Sequence, residues 1–360
     1  MRTGFALVAV LALSAPARAQ NKELKEITEV GGRSLSEWTK DITHKDPSKR
    51  ETAARAVLGF GPDKAYEAVP ALLTELRRHT PNSKIDTSVR VNIAISLGAI
   101  LGSKKDPDPK VVKEAVTLLT RLLRDSQGIV QYQAARALAA IGPPDARAAV
   151  QDLLPLLKDP TNYELRQAGA LALAQIVIDP KAPAPPYIHT HLQALLADPA
   201  FGVRQAACQA LNMIGHPVDA KQKAAILLTL DPLVKKDPEP SVKIWATVTT
   251  MSYSGKIGAE HLETITQFLY KGDVATRVQA AQALGTIGKR AKEVVPSLIA
   301  ALSDLDPNVV GFTILALGRM ESARAIPALE KLAADTKLEA IKKAALDSVQ
   351  QIKRAGTDGK

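Results

Sequence analysis

One spacing of apolar positions recurs along most of this 360-residue chain. Its plainest copies are VQYQAARALAAIG at 130–142, VRQAACQALNMIG at 203–215 and TRVQAAQALGTIG at 276–288. Aligned on Leu138, Leu211 and Leu284, each copy has small or apolar residues three and four places earlier. A further apolar residue usually follows three places later. In the middle copy these positions are Ala207, Cys208, Leu211 and Ile214. That is one face of a helix at a 3.6-residue period, with small side chains that let a neighbouring helix approach. The leucine column extends through Val57, Leu97, Leu173, Val248, Leu317 and Val349, at successive spacings of 40, 41, 35, 38, 37, 36, 33 and 32 residues. Nine units at such a period predict stacked helical hairpins. Alternating Val-Thr-Tyr runs are scarce, so extended strands are not expected.

Start and stop signals punctuate the pattern. Asp-Pro occurs at Asp46-Pro47, Asp159-Pro160, Asp198-Pro199, Asp237-Pro238 and Asp306-Pro307. An aspartate accepts orphan backbone N–H groups at a helix start, and proline fits the first helical position. These pairs predict the starts of the second helices. Gly61, Gly102, Gly142, Gly215 and Gly288 predict their ends, because glycine takes the left-handed geometry without strain. Amphipathic stretches such as VVKEAVTLLTRLLRD and AVQDLLPLLKD precede the turns and predict the first helices. Pro70, Pro296 and Pro327 lie near first-helix starts, where proline is tolerated.

Helix, Asp-Pro turn, then V-R-x-x-A-A-x-A-L-x-x-I-G resembles the HEAT repeat, including its phycobilin-lyase-type variant. The resemblance covers about residues 34–354. It implies an all-α fold, an α-solenoid wound as a right-handed superhelix of about nine helical hairpins. With helices ~8–10 Å apart, the stack should run roughly 80–90 Å along its curve. The family's arginine, seven places before the leucine column, falls at Arg50, Arg90, Arg166, Arg204 and Arg277, with Lys342 as a stand-in. The resemblance implies a structural Arg–Asp ladder with turn aspartates such as Asp46, Asp159, Asp198 and Asp273, which precede the arginines by four to seven residues. Gln131, Ser241 and Val310 depart from the pattern, so units three, six and eight should stack at altered angles. Trp245 replaces the usual alanine in unit six, where packing should be looser or skewed. The Pro-rich run DPKAPAPPY at 179–187 predicts a stiff loop and a bend between two half-solenoids.

The N-terminus reads differently. Residues 1–19 carry Arg2, an apolar run from Phe5 to Leu13 and the cleavage pattern Ala17-Arg18-Ala19. This is the grammar of a signal peptide, and the run is too short to span a bilayer. A buried N-terminal helix is the alternative. Residues 20–33 then form an N-terminal extension and 355–360 a disordered tail. The leader predicts an exported protein, periplasmic or extracellular. The formal charge is +10, and the basic pairs are scattered along the chain, which fits a solvated surface. Attraction to an anionic partner is the other reading of that charge. Cys208 is the only cysteine, so no internal disulfide forms.

Motifs of catalysis and metal binding do not occur: there is no H-E-x-x-H, phosphate-binding loop, G-x-S-x-G or C-x-x-C-H. His189 and His191 lie two apart and point to different faces of a helix. No catalytic, metal or cofactor residue is assigned. Export, and the lack of aromatic residues interleaved with basic ones, argue against nucleic acid; export also argues against bilin-lyase chemistry. The reading is a non-enzymatic, exported scaffold that binds a protein or peptide on the concave face formed by the second helices. Arg55, Arg136, Gln209 and Gln282, two places before the leucine column, are its candidate contacts. The alternatives are a binder of an anionic envelope polymer and an accessory subunit of an enzyme complex.

Overall fold

A computed structural model describes residues 27–78, 86–179 and 183–357. The leader at 1–19 lies outside them, as do residues 180–182 of the expected bend and 358–360 of the expected tail. The described residues form nine antiparallel helical pairs in two layers. The second helices are Pro47–Ala56, Thr87–Ser103, Gly128–Ile141, Tyr163–Val177 and Phe201–Ile214, then Pro240–Ser254, Val274–Ile287, Pro307–Met320 and Glu339–Thr357. The last runs into the segment expected as a tail. The first helices range from the single turn Val150–Leu153, prolonged as a 3-10 turn, to the 17-residue Ala220–Lys236 with Pro232 inside it. The chain is an all-α solenoid. Its only strands among the described residues are the two-residue pair Glu29–Val30 and Arg33–Ser34. This hairpin covers the first unit, with the Trp38 indole N–H donating to the Val30 carbonyl at 2.9 Å.

Burial follows the repeating columns. The column residues Val57, Leu97, Leu138, Leu173, Leu211, Leu284 and Leu317 are fully buried. One continuous apolar core runs from Leu35 to Ile352, as expected of a fold in which each unit covers the face of the next. Every second helix packs on its successor along the whole stack. First helices meet their successors less closely, chiefly between units two and three, three and four, and seven and eight. The second-helix layer is therefore the tighter one, and small residues make it so. A Cβ on Gly98 would stand 2.7 Å from the Ala137 Cα, and one on Gly285 3.1 Å from the Ala316 Cα.

The glycine and Asp-Pro signals each divide into two roles. Gly142 and Gly215 end their helices at φ of 70° and 74°, in the region that L side chains avoid. Gly102 does not end one: it lies inside Thr87–Ser103, where a Cβ would strike the Ala140 carbonyl. Asp46 and Asp306 cap their helices by accepting from the Ser48 and Asn308 amides, each followed by proline in the first turn. Asp198 and Asp237 lie two residues further out, where they accept from the amides of the caps Ala200 and Glu239. Asp159 also precedes its cap, which is Asn162.

Candidate functional site

The arginine column lies along the turns between first and second helices. Each of its arginines reaches forward to the next unit. Arg90 pairs with Asp125 at 2.8 Å, both side chains fully buried. Arg166 pairs with Asp198 at 2.6 Å, Arg204 with Asp237 at 2.8 Å and Arg277 with Asp304 at 2.7 Å, each through two guanidinium nitrogens. Arg50 meets Glu75 of unit two at 2.9 Å and Asp86 at 2.7 Å. The guanidinium Nη1 turns back to the arginine's own turn: to the His44, Asp159, Asp198 and Gly272 carbonyls in units one, four, five and seven.

The carboxylate partner is thus the aspartate of the following unit, 27–36 residues ahead, and not the one just upstream. Asp46 and Asp273 cap their own helices, whereas Asp198 serves both neighbours. The Arg277 hydrogen bond holds the Asp304 carboxyl below its ordinary range. Burial raises the Asp198 carboxyl, but hydrogen bonds from Arg166 and the Ala200 amide, with the charges of Arg166 and Arg204, outweigh it and leave it lowered.

Three joints lack the clamp. Gln131 donates to the Asp125 carbonyl at 2.6 Å and so keeps the backward half of the arginine's role only. Ser241 and Val310 form no ion pair, and Lys342 is exposed with none among the described residues. Across the joint between units six and seven, the Trp245 indole N–H donates to Gln279 Oε1 at 2.5 Å. The same oxygen accepts from Gln205 of unit five at 3.2 Å. Gln205 of unit five thus meets Gln279 of unit seven over the second helix of unit six.

All four candidate contacts lie on that face, but in alternate units. Arg55 and Arg136 are exposed, the latter with its guanidinium 5.7 Å from the Tyr132 ring centre. Gln209 and Gln282 are half-buried. The same position holds Ile95, Leu171, Ala246 and Leu315 in the units between, so polar and apolar residues alternate along the face. Sequence reasoning considered one position of this face only. One helical turn to either side lie Gln167, Gln175, Gln205 and Met213, visible in the same alignment had it been widened.

His189 is buried at 0% exposure, 3.0 Å from the Gly215 carbonyl, and burial pulls its pKa below the ordinary value. Cys208 is buried among the alanines of its column, and burial pushes its thiol up. No group of three metal-ligating residues gathers among the described residues, and no helix there is long and apolar enough to cross a membrane.

Nine stacked pairs with one continuous second-helix face define an α-solenoid scaffold. A model of HEAT repeats matches residues 83–174 and 262–350, together just over half of the chain. The chain belongs to the HEAT repeat family. No curated protein matches it. Among solved structures it is similar to YibA of Escherichia coli, at 19% identity and a TM-score of 0.43, over 80% of this chain and 97% of that one. It is also similar to the complex of CpcE and CpcF of phycocyanin lyase from Nostoc, at 17% identity and a TM-score of 0.46, over 94% and 98%.

Proposed function

We propose that this protein is an exported, non-catalytic scaffold that holds a protein or peptide against its second-helix face. The observation that carries this reading is the face itself: nine second helices side by side, each packed closely on its successor. A helical layer of this kind offers a long contact surface without needing a pocket. Export rests on the leader pattern of residues 1–19. The scattered basic residues leave units four to seven with one charge, Lys243, at the open-face positions two places before the column and one turn to either side. A polyanion would find little there to neutralise.

The test is cross-linking mass spectrometry on intact cells that produce the tagged chain with its own leader. One dominant protein partner, cross-linked through second helices of several units outside the cytoplasm, is the expected result. Retention on isolated envelope that salt reverses, with no protein partner, would overturn the reading in favour of an anionic polymer.

A further inference from the structure

The open face of units four to seven has a chemistry of its own. In a chain with 23% charged residues, an exposed helix face would ordinarily carry lysine and glutamate. Here glutamine takes that place. Of 16 glutamines, eight lie on the second helices of units three, four, five and seven. Gln167, Gln175, Gln209 and Gln282 are half-buried, so their stems are held by neighbours. None of these four side-chain amides bonds to another described residue. Gln205 and Gln279 bond to each other across unit six and continue the row. Lys243, in the column of Gln279, is the one charge at these positions in units four to seven, and Glu164 and Glu239 lie at the helix starts.

We infer that this amide row takes an extended polypeptide segment through its main chain. A primary amide offers donors and an acceptor on one group, matching the alternating N–H and C=O of a peptide backbone. A face with a single charge, Lys243, selects little between acidic and basic side chains, so the recognition is tolerant of sequence. Gln167 and Gln282 stand three units apart, about 24–30 Å at ordinary helix spacing, which an extended segment of about eight to ten residues spans. The inference rests on the scaffold reading and specifies what the scaffold holds: an unfolded or flexible segment, in preference to a folded surface.

The experiment titrates the full chain with a fluorescein-labelled ten-residue peptide of Ala, Ser and Thr. Its partner probe is the same peptide N-methylated at alternate residues, which removes donors and keeps every side chain. N-methylation should weaken binding about tenfold or more, as should combining Gln167→Ala, Gln209→Ala and Gln282→Ala in a variant that keeps the parent's helical circular dichroism. Scrambling the peptide, or raising salt from about 50 to 500 mM, should change affinity less than about threefold. Equal binding of the N-methylated peptide, or full affinity in the triple variant, overturns the inference. If no peptide binds while intact-cell cross-linking finds a folded client on these helices, the inference fails and the scaffold reading stands. If peptides bind and no client exists outside the cytoplasm, the scaffold reading fails instead.

Discussion

Replacing Arg204 with methionine should break the joint between units five and six. The side chains of Arg204 and Asp237 are only 13% and 3% exposed. Methionine keeps most of the apolar stem and removes the guanidinium, which leaves Asp237 buried with the Glu239 amide as its hydrogen-bond donor. Removing one partner of a buried pair costs about 3–5 kcal/mol, and the slight exposure of Arg204 puts the value near ~3. Arg204→Met with Asp237→Asn removes the stranded charge as well and should recover about half of the loss. The coupling between the two changes is that recovery plus the cost of Asp237→Asn alone, so it exceeds about 1.5 kcal/mol. A stacked array need not unfold in one step, so the assay is local hydrogen exchange of Phe201–Ile214 and Pro240–Ser254. The control is Arg77→Met, whose pair with Glu114 is 53% and 37% exposed; it should cost under about 0.5 kcal/mol. The reasoning is refuted if Arg204→Met costs no more than the control, or if the double variant is no better than the single.

Three further outcomes follow from the same geometry. Gln131→Arg should supply the missing clamp to Asp159, whose carboxylate already accepts amides of its own turn as Asp125 and Asp198 do, and raise stability by about 0.5–1 kcal/mol in chemical denaturation; no change would mean the joint between units three and four lacks the ladder geometry. Asp304 and Asp198 have lowered folded pKa values, so their contribution is complete above the unfolded value of about 3.9 and is lost as pH falls from there through the folded value. Thermal melts from pH 7 to 2 should fall more steeply below about pH 4 for the parent than for Arg277→Met/Asp304→Asn, and parallel profiles would remove the pair from the acid response. Gly98→Ala should destabilise by about 1–3 kcal/mol because the new Cβ meets the Ala137 backbone, whereas Gly311→Ala, whose Cβ finds only Ile341 at 3.9 Å, should stabilise by about 0.5–1 kcal/mol; the same sign for both in denaturant melts would contradict the close approach of second helices.

The fold was legible because each unit repeats the same burial problem. A leucine at 0°, small residues toward the neighbours and glycine at the end recur often enough to be read without structure. What could not be read was which unit a side chain serves. Arg166 has Asp159 seven residues upstream and Asp198 beyond it in the next turn, and sequence distance favours the wrong carboxylate. The stack places the next turn beside the guanidinium, so the near aspartate supplies a carbonyl and the far one the charge. Gly102 misled for a related reason, since a close helix approach and a helix end both call for glycine. Lys342 kept the column's charge, yet it is exposed and unpaired among the described residues. Ala220–Lys236 has no clean amphipathic pattern and holds Pro232, which hid the first helix of unit six. At the open face, Arg55, Arg136, Gln209 and Gln282 were found one to a unit, while the continuous row needed the adjoining turns of each helix.

The central claim is that the second-helix face is where this protein meets its client. Its most direct test places a photo-activatable cross-linking residue at Gln209, at Gln282, and at Thr74, which is exposed on a first helix. Irradiation of intact cells should yield one and the same polypeptide adduct from Gln209 and Gln282 and none from Thr74. An adduct from Thr74 alone would move the client to the opposite layer and contradict the account.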